Sequence, residues 1–339
     1  MPARWEALNA RARGLGTHLL PHGTLAALAA TPDLAALVVL LEAAGIAIPR
    51  EEGLTSHAIE LGIRRAAAGE LRRLAGWFGD QGGAPGLIFD DEDRRSLRSM
   101  IRGAVAGAAA EARLAGLIPT PQLPERALAE LARQPRVADV AALLVAWNHP
   151  LGSALLPAAA ATEPDLLRLE LEVDRWFAGR AHAAARHGGS AFRRYVEQSI
   201  DLDNARAALL LAASDSELPA DSFFLPGGRH LSRTAFHDAA GAGSLAAAAR
   251  HLAAPLAAHG IGELVLRHAG DIARLDEALL RARVRAHRQE ARREPLGAAP
   301  VLAYALRLRS QVAALRRLVW GTELGVPPAV RAAALEEVT

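Results

Sequence analysis

One pattern of residues occurs twice in this sequence, 110 positions apart, and it limits the fold classes that the chain can adopt. Residues 60–69 read ELGIRRAAAG and residues 170–179 read ELEVDRWFAG, with an acid, two apolar positions, an arginine and a glycine in matching places. Shorter echoes pair residues 9–11 with 204–206 and residues 96–103 with 314–321. Such repetition is typical of modular α-helical proteins, which more often bind partners than catalyse reactions.

The apolar residues favour helices. Hydrophobic residues make up 51% of the chain and aromatic residues only 4%, because most of the apolar positions are Ala or Leu. Both are strong helix formers. The β-branched and aromatic residues that sheets favour are sparse. We therefore predict an all-α fold in which one helical module is used about three times.

Glycine- and proline-rich breaks indicate where the modules meet. They lie at residues 80–86, at Gly188-Gly189 and around 119–124. We predict helical domains over 1–92, 93–190 and 191–339, the last including the closing C-terminal helices. From Ala299 onward, apolar residues recur at spacings of three and four as far as Val319. This seam predicts a long helix that packs against a neighbouring helix.

The charged residues exclude several classes of function. All the basic residues are Arg, so a phosphate-binding P-loop lysine and a Schiff base are excluded. The formal net charge of +2 gives little electrostatic support for nucleic-acid binding. Without cysteine there is no disulfide, thiolate nucleophile or cysteine-bound metal.

The apolar stretches are short. The longest, residues 34–41, is far below the roughly 20 residues of a membrane-spanning helix. The first 13 residues resemble a charged helix and lack the apolar core of a secretion signal. We expect a cytoplasmic protein without a membrane span, which can sit on a membrane-embedded partner.

No group of residues indicates catalysis. The 12 histidines lack the spacing of paired metal ligands on a helix, which argues against a metal site. The acidic run at 90–93 is interpreted as a solvated cluster at a helix start rather than a cation site. No nucleophile, base and electrophilic donor occur together, so we expect a non-enzyme without catalytic, cofactor or metal residues. An all-α enzyme with a His/Asp site in a central cavity stays open as an alternative.

Eight residues are candidates for contacts with partners. Asp174 and Asp276 occupy similar sequence contexts in charged helices. If those helices face a shared cavity, the two acids line it. Otherwise they are surface acids paired with Arg. The Arg-rich stretch 281–293 could bind phosphates or anionic lipid head groups, but a solvated face with ion pairs or a docking face for an acidic partner is favoured. The Leu-Pro-Gly-Gly segment could hold a phosphate, but a turn between helices is favoured. The candidates are Asp174, Asp276, Leu225, Pro226, Gly227, Gly228, Arg281 and Arg285.

The order of several segments resembles a known family. These segments are 12–21 (ARGLGTHLLP), 200–206 (IDLDNAR), 224–228 (FLPGG), 300–304 (PVLAY) and 315–321 (LRRLVWG). Together they resemble the C subunit of bacterial and archaeal rotary V-type ATPases, which is homologous to the d subunit of the eukaryotic enzymes. The chain departs from the family at Ala313-Ala314, where polar residues are usual.

The resemblance implies a fold and a role. The implied fold has three similar helical domains arranged with pseudo-threefold symmetry as a funnel around a central cavity. The implied role is that of a non-catalytic rotor subunit on the cytoplasmic face of the membrane. Its partners would be the central stalk subunits, seated in the cavity, and the membrane proteolipid ring, with torque coupled to proton or sodium transport. The alternative is a stand-alone helical scaffold that has lost its motor partners.

Overall fold

The computed structural model describes residues 5–51, 53–78, 86–214 and 219–336, and every regular element within these ranges is helical. The predicted all-α class is therefore confirmed. Several of the described helices begin where a polar side chain accepts a hydrogen bond from a first-turn amide, as Asp33 does for Ala36 (2.8 Å) and Asp165 for Leu167 (2.9 Å).

The described residues form seventeen α-helices and one short 3₁₀ helix. The N-terminal part holds α1 (Trp5–Leu15), α2 (His22–Ala29), α3 (Leu34–Ala43) and α4 (Ser56–Phe78). The middle part holds α5 (Leu87–Val105), α6 (Ala110–Leu114), α7 (Glu125–Ala132), α8 (Val137–Ala146), α9 (Gly152–Ala159) and α10 (Leu166–Gly188). The C-terminal part holds α11 (Ser190–Ala212), the 3₁₀ helix (Ala220–Phe223), α12 (Arg233–Ala240), α13 (Leu245–Ala257), α14 (Gly262–His268), α15 (Ile272–Arg293), α16 (Ala299–Glu323) and α17 (Pro328–Glu336).

The helix lengths follow a recurring order. A group of short helices precedes a long helix of 22 or 23 residues three times, and the long helices are α4, α10 and α15. A second long helix follows each of them: α5, α11 and α16. The three-domain funnel and its boundaries stay predictions. The boundary predicted after residue 92 lies inside α5, and most of the break predicted at 80–86 lies outside the described residues.

The apolar side chains form two cores. The larger core extends from Leu8 to Leu335 and so joins the two ends of the chain. The smaller core is made by residues between Leu97 and Val173, on α5 and α7–α10. Helix α16 packs against α1, α4 and α15, and its apolar seam is buried from Val301 to Val319 except for the half-buried Ala305. The predicted packing of this long helix is thus confirmed.

The prediction of a solvated acidic cluster at 90–93 was wrong. Helix α5 begins earlier, at Leu87, and all four acidic side chains are buried. Arginines of the same helix contact Asp91, and other segments supply a partner for each of the other three acids. These contacts are Asp90 with Arg180, Asp91 with Arg94 and Arg95, Glu92 with Arg309, and Asp93 with Thr120.

Over the described ranges, no helix combines the length and the apolar character that a membrane crossing requires.

Candidate functional site

A cavity of about 450 Å³ lies among the long helices α5, α11, α15 and α16. Its wall is dominated by guanidinium groups, with three carboxylates and a set of leucines between them. The basic lining residues are Arg94, Arg95, Arg98, Arg102, Arg206, Arg283, Arg309 and Arg316, and the acidic ones are Asp203, Asp276 and Glu277. The second long helices of the three groups, α5, α11 and α16, therefore meet at this cavity.

Three carboxylate–arginine pairs occupy corresponding places around this cavity. Each acid is the fifth residue of the long helix α4, α10 or α15, and each arginine lies on α16, α5 or α11. The pairs are Glu60–Arg316 (3.3 Å), Glu170–Arg98 (2.9 Å) and Asp276–Arg206 (3.8 Å).

Residues from the repeated segments of the sequence contribute to these pairs. The repeat at 60–69 and 170–179 carries two of the acids, while the echo of 96–103 in 314–321 carries two of the arginines. All three arginines of the pairs line the cavity. In α10 the position that corresponds to Asp276 is Glu170, and Asp174 lies about one helical turn further on.

Helices α5, α11 and α16, which carry the paired arginines, also bind the loops that lead into the short helices. Five positions before the paired arginine, each helix carries a hydrogen-bond acceptor for one loop. Gln311 Oε1 accepts from the Leu20 amide (2.6 Å) ahead of α2. Asp93 accepts from the Thr120 hydroxyl (2.5 Å) ahead of α7, and Asp201 accepts from the Leu231 amide (3.1 Å) ahead of α12.

A buried ion network lies behind the cavity wall, where α5 meets α10 and α11. Arg94 contacts Asp91, Asp174 and Asp203, and Arg98 Nη1 lies 3.2 Å from Asp174. Burial disfavours ionisation of Asp91, but the charges of Arg95 and Arg94 outweigh it and hold the pKa of Asp91 well below its usual range. Two of the arginines that line the cavity, Arg94 and Arg98, therefore have carboxylate partners on α10 and α11.

Three carboxyl groups of this region have strongly shifted pKa values. Burial raises the pKa of Asp174 to about 6 despite the charges of Arg98 and Arg94. Burial also raises the pKa of Asp93 to about 8, since the Thr120 hydroxyl is the one group among the described residues that bonds its carboxyl group. Burial opposes ionisation of Glu170 as well, but the Arg102 hydrogen bond and the charge of Arg98 bring the pKa of Glu170 to about 2.

The Leu-Pro-Gly-Gly segment packs on the middle of α11. Asn204 bonds both the amide and the carbonyl of Leu225, each at 2.8 Å. Gly228 lies so close to Asp201 that a Cβ would overlap the carboxylate. The two middle segments of the family resemblance, 200–206 and 224–228, are therefore in direct contact.

Sequence reasoning missed the partner of His259. Its Nε2 lies 2.8 Å from Asp201, which is fully buried and also accepts hydrogen bonds from three backbone amides of the loop at 229–231. The two residues are 58 positions apart, so no local spacing connects them. Among the described residues, no group of three or more His, Asp or Glu side chains has the arrangement of a metal site.

The candidate partner residues are distributed over several places. Asp276 lines the cavity and is exposed, whereas Asp174 is buried in the ion network. Arg281 is half-buried and lies 3.7 Å from Glu277, and Arg285 is exposed. Their contacts with partners stay a prediction. The cavity arginines Arg98, Arg206 and Arg316 were not among the candidates, although each belongs to one of the sequence echoes.

Comparison with known proteins identifies the family. Residues 8–331 match the family model described as ATP synthase (C/AC39) subunit. The V-type ATP synthase C subunit of Thermus thermophilus is 32% identical over 169 residues, half of this chain and half of the relative. The protein of the same name from Deinococcus radiodurans is 29% identical over 254 residues, 73% of this chain and 69% of the relative. The chain belongs to the ATP synthase (C/AC39) subunit family.

Proposed function

We propose that this protein is a non-catalytic rotor subunit of a V-type ATPase, in which the cavity receives the end of the central stalk. The three equivalent carboxylate–arginine pairs carry the proposal. They suit a funnel of three related walls around one socket. The names of the matched relatives, which are C subunits of V-type ATP synthases, support membership of such a complex.

The cavity suits a protein partner better than a reaction. Its wall combines guanidinium groups, three carboxylates and leucines such as Leu202 and Leu280. Mixed charges fix the orientation of an inserted segment, and the apolar side chains are buried by it. Among the described residues of the wall, no nucleophile has an adjacent base, which favours a structural role.

Transmission of torque requires a wall that does not yield. The ion pairs between long helices and the hydrogen bonds that tie three loops to α5, α11 and α16 serve this requirement. Close packing of long helices adds stiffness. In this proposal the subunit rests on the proteolipid ring at the cytoplasmic face of the membrane and couples rotation to proton or sodium transport.

Capture experiments test the proposal. The tagged protein should retain both the stalk subunits and the proteolipid ring from the same organism. Asp276→Arg places a positive charge at the cavity and should weaken stalk capture at least tenfold while leaving ring capture intact. Asp238→Arg on α12, at another exposed acid that lies outside the cavity, should change neither.

Capture of neither partner by the wild-type protein sinks the rotor proposal. A genome without stalk and ring genes would then support the stand-alone helical scaffold. Equal stalk capture by the Asp276 and Asp238 variants would leave the rotor role standing but move the stalk contact away from the cavity.

A further inference from the structure

A second groove of about 510 Å³ lies between α1, α15 and α16, and none of its lining residues belongs to the central cavity. Four arginines line it: Arg13, Arg288, Arg292 and Arg307. Among the described residues that line it, none is Asp or Glu. The groove is therefore a concentrated positive surface on a chain whose net charge is only +2.

The nearby carboxylates are occupied by other cations. Glu290, on the same helix as Arg288 and Arg292, and Glu294, just after that helix, both contact Arg194. Glu70 accepts the hydroxyl of the groove residue Tyr304 (2.9 Å), but it also contacts Arg73 and His18. Within the described ranges, none of the four groove arginines has a carboxylate within 4.0 Å.

The unneutralised charge is least favourable at Arg307, which is the half-buried member of the four. Burial and the neighbouring charge of Arg288 lower the pKa of Arg307. The buried Arg94 and Arg98 contact two or more carboxylates each, whereas the buried Arg64 donates to a backbone carbonyl. An anionic occupant of the groove would relieve the repulsion among its arginines.

The floor of the groove is apolar. Ala12, Ala291, Pro300, Ala303 and the Tyr304 ring form it, and Arg13, Arg288 and Arg292 on its rim are exposed. An apolar centre with an arginine and aromatic contribution is the usual composition of protein–protein contacts. Exposure of the rim favours a segment of a macromolecule over a small ligand, because small-molecule sites enclose most of their ligand.

We propose that this groove binds an acidic segment of a partner protein. Its carboxylates would pair with the four arginines, and its small apolar side chains would cover the floor. The proposal does not depend on what occupies the central cavity. It adds a second docking surface to the one in the proposed function.

A peptide titration of the full-length protein tests this proposal. The probe is a fluorescein-labelled helical peptide of about 15 residues, with an Ala/Leu stripe flanked by Glu, and fluorescence anisotropy measures its binding. Arg288→Gln combined with Arg292→Gln should weaken binding at least tenfold. Both side chains are exposed, so the melting temperature by circular dichroism should not change.

Matched controls separate docking from general charge attraction. Arg250→Gln combined with Arg267→Gln removes two exposed arginines from α13 and α14 and should leave binding unchanged. A peptide with Arg in place of Glu should not bind. Equal losses in the two double variants would overturn the proposal. So would binding of pyrophosphate or of phosphatidylglycerol vesicles to this groove when the acidic peptide does not bind.

Discussion

Glu60 accepts a 2.8 Å hydrogen bond from the indole nitrogen of Trp320, a residue 260 positions later in the chain. The bond joins α4 to the last turns of α16, and Glu60 also accepts from the Gly116 amide and contacts Arg316. One buried carboxylate therefore links the N-terminal part of the chain, the loop after α6 and the C-terminal long helix.

Replacement of Trp320 by Phe removes this donor and keeps most of the ring. We expect Trp320→Phe to lower the free energy of unfolding by about 1–2 kcal/mol, since a charged acceptor loses one of its partners. Urea denaturation monitored by circular dichroism measures the change. The control is Trp147→Phe, at a half-buried ring just after α8. That indole donates no hydrogen bond to a described residue, so the decrease in the free energy of unfolding should be smaller. Equal losses would show that the bond contributes little.

The three carboxylate–arginine pairs should differ in strength according to burial. Glu170 is 6% exposed and its pKa is held at about 2, so Glu170→Gln should lower the free energy of unfolding by about 3 kcal/mol at pH 7. The Asp276 side chain is 49% exposed and lies 3.8 Å from Arg206. Asp276→Asn should therefore change the free energy of unfolding by less than about 1 kcal/mol. Urea denaturation of both variants checks this order, and a reversed order would contradict it.

Asp93 should make stability depend on pH between about 4 and 8. Its folded pKa is about 8, above the ordinary value of 3.8, so the folded state binds the proton more tightly than the unfolded state. The corresponding stability is present at low pH and is lost as the pH rises through that window. Thermal melts of wild type and Asp93→Asn at about pH 5.5, 7 and 8.5 measure the effect.

We expect Asp93→Asn to be the more stable protein at about pH 8.5 by more than about 1 kcal/mol, because the amide keeps an acceptor for Thr120 without ionising. The advantage should shrink as the pH falls. A constant difference across the series would mean that Asp93 does not titrate in this range.

Two glycines of α4 should respond in opposite directions to the same substitution. A Cβ at Gly62 would lie 2.6 Å from the Ala47 carbonyl oxygen, while a Cβ at Gly69 would have no heavy atom within 4 Å. Gly62→Ala should therefore destabilise the protein by about 1–3 kcal/mol. Gly69→Ala should stabilise it by up to about 1 kcal/mol through helix propensity. Melting temperatures of the two variants provide the comparison, and a shift in the same direction for both would refute it.

Local patterns predicted the helices because helix formation depends on nearby residues. The Ala/Leu content indicated the all-α class, and the apolar spacing after Ala299 indicated a long, packed helix. The acidic run at 90–93 misled the prediction, because its partners Arg180, Thr120 and Arg309 come from distant segments. Burial of a carboxylate depends on those partners and leaves no local signal.

By itself the sequence determined the helical class, the repeated segments and the family resemblance, because each depends only on the identity and order of residues along the chain. Only the tertiary structure decided that the acid of one repeat meets the arginine of another, as Glu60 meets Arg316 and Glu170 meets Arg98. It also decided that these arginines line one cavity, while Arg288 and Arg292 line a different groove. The physical reason is that ion pairs and cavities arise between helices, and the packing of their apolar faces fixes which side chains come within a few ångströms of one another.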